Sequence, residues 1–396
     1  MHLTSLWKRL LRRELLALFL VIYTADIVVG YILLVLPLRA RELGASLLLI
    51  GSLTAFNGAT QVTAAVPLGL ISDRLGRRHL IAAGCLFFAL SSTLLALAPT
   101  PLWLLLAQML LGLGVVCVFA MGAAMVGDYA APSERGVAMG MLTTAMGLGF
   151  ATGPLLGGLL AESFDIEGSL LILALVAIAS AALAWITLVD KKVATGLRAA
   201  NPLQNLRVLA SSRPILLAAL ANLLISPVFS AVVVSFLPIH ASSLGFSAAT
   251  IGGLYTLRGL LSTLTRVPLG VLSTPRWSHR LMVLAIALSG VAAVALASWQ
   301  GYAELGLALV VEGISYGMFL TAGQAFVTQH AQPQIRGAAL GAYNMAGGIG
   351  ITLSPFLLGA ISQQIGLSPV FLGTGVLLLA GALLLAIAFP RALAVV

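Results

Sequence analysis

The chain is a succession of apolar stretches of twenty or more residues, separated by short polar turns. Each stretch is long enough to cross the hydrocarbon core of a bilayer, which is about 30 Å thick. Backbone groups in that core must bond to one another, so each crossing is predicted to be a helix and the fold an all-α membrane protein. Twelve spans are predicted, at residues 15–38, 46–71, 79–98, 102–127, 135–161, 167–189, 214–239, 247–272, 280–299, 302–328, 336–362 and 368–389.

The distribution of charge predicts how the spans are oriented. Only 8% of the residues are charged, whereas a soluble domain has about 25%. With the N-terminus inside, seventeen of the twenty-one lysines and arginines fall on predicted inner segments. Lysine and arginine favour the cytoplasmic side, so both termini are predicted to be cytoplasmic and the protein multi-pass in the inner (plasma) membrane. This topology accounts for the net charge of +9 and leaves no role for nucleic acid.

The two halves of the sequence repeat at an offset of 201 residues. Residues 66–69 and 267–270 both read VPLG, and further glycines, prolines and arginines match at the same offset. We predict an N-terminal six-helix bundle at 1–189, a cytoplasmic linker at 190–213 and a C-terminal six-helix bundle at 214–396. Two halves with the same orientation are typical of transporters whose substrate site lies between them near the midplane.

The turn after the second predicted span is unusually charged. Residues 69–78 read GLISDRLGRR, and they resemble the signature that the major facilitator superfamily carries between its second and third spans. The resemblance implies a cytoplasmic latch, in which Gly69 permits close helix approach and Asp73 and Arg77 form a charge network with Asp128. The other matching positions are Arg74, Gly76 and Arg78. The alternative is that these charges only set topology.

The fifth predicted span carries regularly spaced small residues. They are Gly140, Gly149, Gly153, Pro154, Gly157 and Gly158. The pattern resembles the fifth-span motif of the drug/proton antiporter branch of that superfamily, which implies proton-driven export. The alternative is a helix-packing groove with no directionality. One position departs from the branch: Gln108 stands where the fourth-span motif has an arginine implicated in proton handling, which counts against proton antiport.

Three ionisable residues fall near the predicted membrane midplane: Asp26, Arg258 and Glu312. Charge at this depth is costly and points to function. Tyr23, Tyr255 and Tyr316 share helix faces with them, as substrate contacts or as packing residues. Arg258 and Glu312 either neutralise each other or contact substrate. No lysine or arginine of the first half falls at the depth of Asp26, which favours a proton-binding or cation-binding role for this carboxylate.

These features predict a secondary active transporter rather than an enzyme. No phosphate-binding loop or metal-ligand spacing is present in the sequence, so neither ATP, a metal nor another cofactor is expected. We predict a monomeric, proton-coupled exporter of amphipathic small molecules that works by rocker-switch alternating access and contacts membrane lipids. The alternatives are a translocator of an anionic amphiphile, such as a lipid or an acidic metabolite, and a non-transporting receptor that kept the fold.

Overall fold

The computed structural model describes residues 12–131, 134–190, 212–332 and 335–393, with only the backbone of Asp73. These residues form helices and their connections. The helical segments are α1 Arg13–Glu42, α2 Leu47–Leu75, α3 Arg77–Leu97, α4 Trp103–Tyr129, α5 Arg135–Thr187, α6 Arg213–Ser243, α7 Ala248–Leu272, α8 Ser278–Ser298, α9 Tyr302–His330, α10 Arg336–Ile365 and α11 Leu367–Leu393. Apart from Asp190 and residues 212–213, the predicted linker lies outside the described residues, as do both termini.

Most of these helices have the length and composition of membrane spans. Within the described ranges, nine helices are long and apolar enough to cross a bilayer; α2 and α7 fall outside that set. The segment α5 has 53 residues, about twice the length that one crossing needs. The protein is therefore a multi-pass membrane protein.

The segment α5 consists of two helices that meet at Asp165. This residue has φ 58° and ψ 177°, outside the helical region. Its side-chain Oδ1 accepts the backbone N–H of Gly168 at 2.7 Å, the bond that an aspartate forms when it caps a helix N-terminus. The predicted spans at 135–161 and 167–189 are therefore joined by a sharp break between two helices and not by an extended loop.

The described helices group into two compact units. Within the described ranges, the first contains residues 12–45, 56–190 and 246–256, and the second contains residues 46–55, 212–245 and 257–393. Each unit therefore includes the first turns of one helix, α2 or α7, from the other half of the sequence. Both α2 and α7 are single uninterrupted helices.

The same helix pairs pack in both units, as the sequence repeat requires. In the first unit α5 packs against α1 and α3, and α3 packs against α4. In the second unit α10 packs against α6, and α8 packs against α9 and α11. Two helices contain π-helical turns, at Val116–Ala120 in α4 and at Val228–Phe236 in α6.

Candidate functional site

Asp26 lies midway along α1, the most extensively buried helix of the first unit. Only 6% of the residue is exposed. Tyr23, one turn earlier on the same face, has its hydroxyl 3.4 Å from the Thr152 hydroxyl of α5. An ionisable side chain buried within an apolar helix is costly to keep, which marks Asp26 as a candidate functional residue.

The glycines of the fifth-span motif bring α5 against the helix that carries Asp26. A Cβ added to Gly149 would lie 2.5 Å from the Tyr23 carbonyl oxygen and 2.9 Å from the Asp26 Cβ. A Cβ on Gly153 would lie 2.5 Å from the Ile27 carbonyl oxygen. One turn further, a Cβ on Gly157 would overlap the ring of Tyr31. These three glycines therefore fix the backbone around Asp26, within one unit and one half of the sequence.

The other residues of the motif differ in their surroundings. Gly158 approaches the first turn of α7, where an added Cβ would lie 2.5 Å from the Ala248 carbonyl oxygen. The carbonyl oxygen of Pro154 occupies the space that a Cβ on Gly252 would need. Beside Gly140, by contrast, no heavy atom of the described residues lies within 4 Å of an added Cβ. Pro154 and Gly158 thus pack against the opposite half of the sequence, whereas Gly149, Gly153 and Gly157 face α1.

Arg258 and Glu312 form a buried ion pair in the second unit. The Glu312 residue is 0% exposed and Arg258 is 2% exposed. Arg258 donates through Nε to one carboxylate oxygen and through Nη2 to the other, the latter at 3.0 Å. Gly313 makes the approach possible, because an added Cβ would lie 2.5 Å from the Arg258 carbonyl oxygen. A two-pronged pair of this kind holds both groups in one geometry.

Two aromatic rings cover this ion pair. Phe229, from the π-helical part of α6, stacks on Tyr316 with ring centroids 4.5 Å apart and an interplanar angle of 14°. The Arg258 guanidinium carbon lies 5.1 Å from the Phe229 centroid and 5.3 Å from that of Tyr316, within the range of cation–π attraction. Sequence analysis missed Phe229, because the π-helical register that presents it has no simple periodic signature.

The predicted site residues therefore fall into separate groups. Asp26, Tyr23 and the buried Tyr255 belong to the first unit. Arg258, Glu312 and Tyr316 come together in the second unit.

Gln108, at the position of the missing arginine, lies where α4 contacts α2. It is 1% exposed, and its Nε2 has no hydrogen-bond partner among the described residues. The Asn57 side chain donates to the backbone carbonyl oxygen of Gln108 at 3.0 Å, and the Gln61 side chain donates to that of Asn57 at 2.7 Å. Sequence analysis missed Asn57 and Gln61 as candidate site residues, although two polar side chains within a predicted span could have indicated them.

The charged turn between α2 and α3 is held by two acids. Arg77 donates to the Asp128 carboxylate and, at 2.6 Å, to the Ala124 carbonyl oxygen. Of the other predicted latch residues, Arg74 is exposed, and no heavy atom of the described residues lies within 4 Å of a Cβ added to Gly69. The side chain of Asp73 lies outside the described part of the chain.

Asp190, at the end of the first half, is the second acid and was missed by sequence analysis. Its Oδ1 accepts the Arg78 backbone N–H at 2.9 Å, so it caps the N-terminus of α3 from a distant part of the chain. His79 Nδ1 lies 3.4 Å from Oδ2 of the same carboxylate. Gly76 directly precedes this helix and has φ 93°, and a Cβ there would overlap the carboxylate. Both the conformation and the space therefore require glycine.

Within the residues that the structure describes, no three His, Cys, Asp or Glu side chains group in a way that could hold a metal ion. Apolar helices that span a membrane, arranged as a repeated bundle with buried charges inside, define the class of membrane transporters.

The chain belongs to the Major Facilitator Superfamily, whose family model matches residues 15–300 and 222–394. It is 21% identical to an uncharacterized MFS-type transporter of Methanocaldococcus jannaschii, over 91% of this chain and 94% of that protein. It is 26% identical to multidrug resistance protein MdtG of Yersinia enterocolitica, over 88% and 86%. The crystal structure of the nucleoside transporter NupG shares the fold, with a TM-score of 0.82 at 16% identity over 95% and 100% of the two chains. The protein is a transporter of this family and not an enzyme.

Proposed function

We propose that this protein is a proton-coupled exporter of amphipathic, cationic small molecules. It has twelve spans, with α5 crossing the membrane twice, and both termini on the cytoplasmic side of the inner (plasma) membrane. It works by rocker-switch alternating access. The similarity to a multidrug resistance protein and the glycine motif of α5 support export.

The observation that carries the proposal is the buried carboxylate of Asp26 on α1. In one state the carboxylate holds a proton and is neutral. In the other state it gives up the proton and its charge attracts a cationic substrate. Gly149 and Gly153 pack α5 closely against the backbone around Asp26, so α1 and α5 keep their contact while a cation replaces the proton on the carboxylate.

The ion pair in the second unit favours a cationic over an anionic substrate. Glu312 neutralises Arg258 through two hydrogen bonds, so an anion that used this guanidinium would have to displace a buried carboxylate. That exchange would leave Glu312 charged and buried, which is costly. Translocation of an anionic amphiphile is therefore the less favoured alternative.

Arg77, Asp128 and Asp190 act in this proposal as a conformational latch. Their contacts join the α2–α3 turn to the ends of α4 and α5, at the predicted cytoplasmic side. Such a network sets the balance between two conformations and leaves the substrate site unchanged.

The test uses purified protein in vesicles with a clamped pH difference and a permanently cationic amphipathic dye. Asp26→Asn should abolish uphill accumulation of the dye, while downhill exchange of dye continues. Asp26→Glu is the matched control, because it keeps a titratable carboxylate and should retain part of the uphill transport. If the Asn variant still accumulates dye against its gradient, Asp26 does not couple transport to protons. If neither variant nor wild type exchanges dye downhill, cationic amphiphiles are not the substrates.

A further inference from the structure

The second unit has a basic edge at the turn between α7 and α8. We define this edge by Arg276, Trp277, Arg280 and Arg391, the last in the final turn of α11. The His279 and Phe389 rings lie 6.0 Å apart, so the end of α11 lies beside the start of α8. All four residues are exposed. The edge therefore presents three exposed guanidinium groups and an exposed tryptophan.

The arginines of this edge lack acidic partners within the described part of the chain. Arg276, Arg280 and Arg391 form no ion pair there, and Arg280 lies over the Trp277 ring at 5.2 Å from its centroid. From residue 191 onward the sequence has only two acids, Glu304 and Glu312. Glu304 bonds the N-terminus of α9, and Glu312 is buried with Arg258. Neither neutralises the edge.

At the equivalent edge of the first unit, two acids contact the basic residues. There Asp128 pairs with Arg77, and Asp190 caps α3 and approaches His79. At the offset of 201 residues, Asp128 corresponds to Gln329 and Asp190 to Arg391. Gln329 donates to the Ser273 carbonyl oxygen at 2.7 Å and accepts a bond from Ser278, so neutral hydrogen bonds replace the ion pair. The second unit therefore lacks the acids of the repeat, and its edge arginines stand at positions that Leu75, His79 and Asp190 occupy in the first half.

We propose that the basic edge binds the phosphate headgroup of an anionic phospholipid in the cytoplasmic leaflet. Guanidinium groups bind phosphate oxygens through two parallel hydrogen bonds, and a half-exposed tryptophan such as Trp277, at 51%, is typical of the membrane interface. The headgroup supplies the negative charge that Asp128 and Asp190 supply in the first unit. The inference rests on the proposed orientation and is independent of proton coupling.

The test measures quenching of Trp277 fluorescence in nanodiscs that contain brominated phosphatidylglycerol or brominated phosphatidylcholine. Subtracting the signal of Trp277→Phe isolates the contribution of this residue from those of the other tryptophans. Phosphatidylglycerol should quench at much lower mole fraction than phosphatidylcholine. Each arginine near an anionic surface contributes roughly fivefold in affinity, so the triple variant Arg276→Gln/Arg280→Gln/Arg391→Gln should lose the preference by about a hundredfold. Arg213→Gln, an exposed arginine at the start of α6, is the matched control and should keep it.

Three results would overturn the proposal. Equal quenching by the two lipids would show that the edge does not select headgroup charge. A preference that survives in the folded triple variant would show that the protein's general positive charge attracts the lipid. Loss of the preference when inorganic phosphate replaces chloride at constant ionic strength would assign the edge to free phosphate. Because quenching requires no transport, none of these results can be confused with a failure of the proposed export.

Discussion

Neutralising Glu312 tests whether the buried pair holds the second unit together. Glu312→Gln keeps the shape of the side chain and removes its charge, which leaves the Arg258 guanidinium buried beside a neutral amide. Removing one member of a buried pair costs about 3–5 kcal/mol. Since both residues are almost completely buried, we expect a loss of at least about 3 kcal/mol, more than a hundredfold in the unfolding equilibrium.

The double change should be milder than the sum of the two single changes. Arg258→Gln/Glu312→Gln replaces the charges with two amides that can bond to each other, so about 2 kcal/mol should be recovered. The measurement is reversible unfolding in mixed micelles with increasing denaturing detergent. As a control, the double-mutant cycle for Arg39 and Glu42 should give a coupling energy below about 1 kcal/mol, because Glu42 is half-exposed. Strictly additive losses for Arg258 and Glu312 would refute the reasoning.

Two further predictions concern the latch and the glycine stripe. In vesicle uptake, Asp128→Asn should lower the maximal transport rate several-fold and leave substrate affinity within about twofold, because the change shifts a conformational balance. Loss of binding at an unchanged maximal rate would contradict this. Gly157→Ala should lower the stability of the folded protein by about 1–3 kcal/mol, because the new methyl group overlaps the Tyr31 ring. Gly140→Ala is the control and should be tolerated. Equal thermal shifts for both variants would contradict the packing described for α5.

Features that follow from local chemistry could be predicted from the sequence. The apolar stretches correspond to helices because a membrane interior allows a long apolar segment no other structure. The proximity of Arg77 to Asp128 came from a family motif, and the pairing of Arg258 with Glu312 was one of two alternatives. In both cases the high cost of unneutralised charge near or within a bilayer limits the number of possible arrangements.

Other features depend on tertiary packing and could not be predicted. Glycines show that a helix approaches closely but not which helix it approaches, so the contact of Gly149 and Gly153 with α1 required coordinates. Asp190 lies 112 residues from the helix that it caps, and no local pattern connects the two. Its signal was indirect: it is the last acid of the first half and follows directly after an apolar span at the predicted inner side.

The π-helical turns determine where related sequences can lose a residue within a membrane-spanning helix. A π turn holds one residue more than the α-helical turn it replaces, because its hydrogen bonds reach one residue further. Deleting a residue from an ordinary span would rotate everything beyond it and turn packed faces towards lipid. Deleting one residue from Val116–Ala120 would instead restore an α turn and leave the flanking parts of α4 facing their present neighbours. This stretch is therefore a place where related sequences can have one residue fewer without loss of the fold.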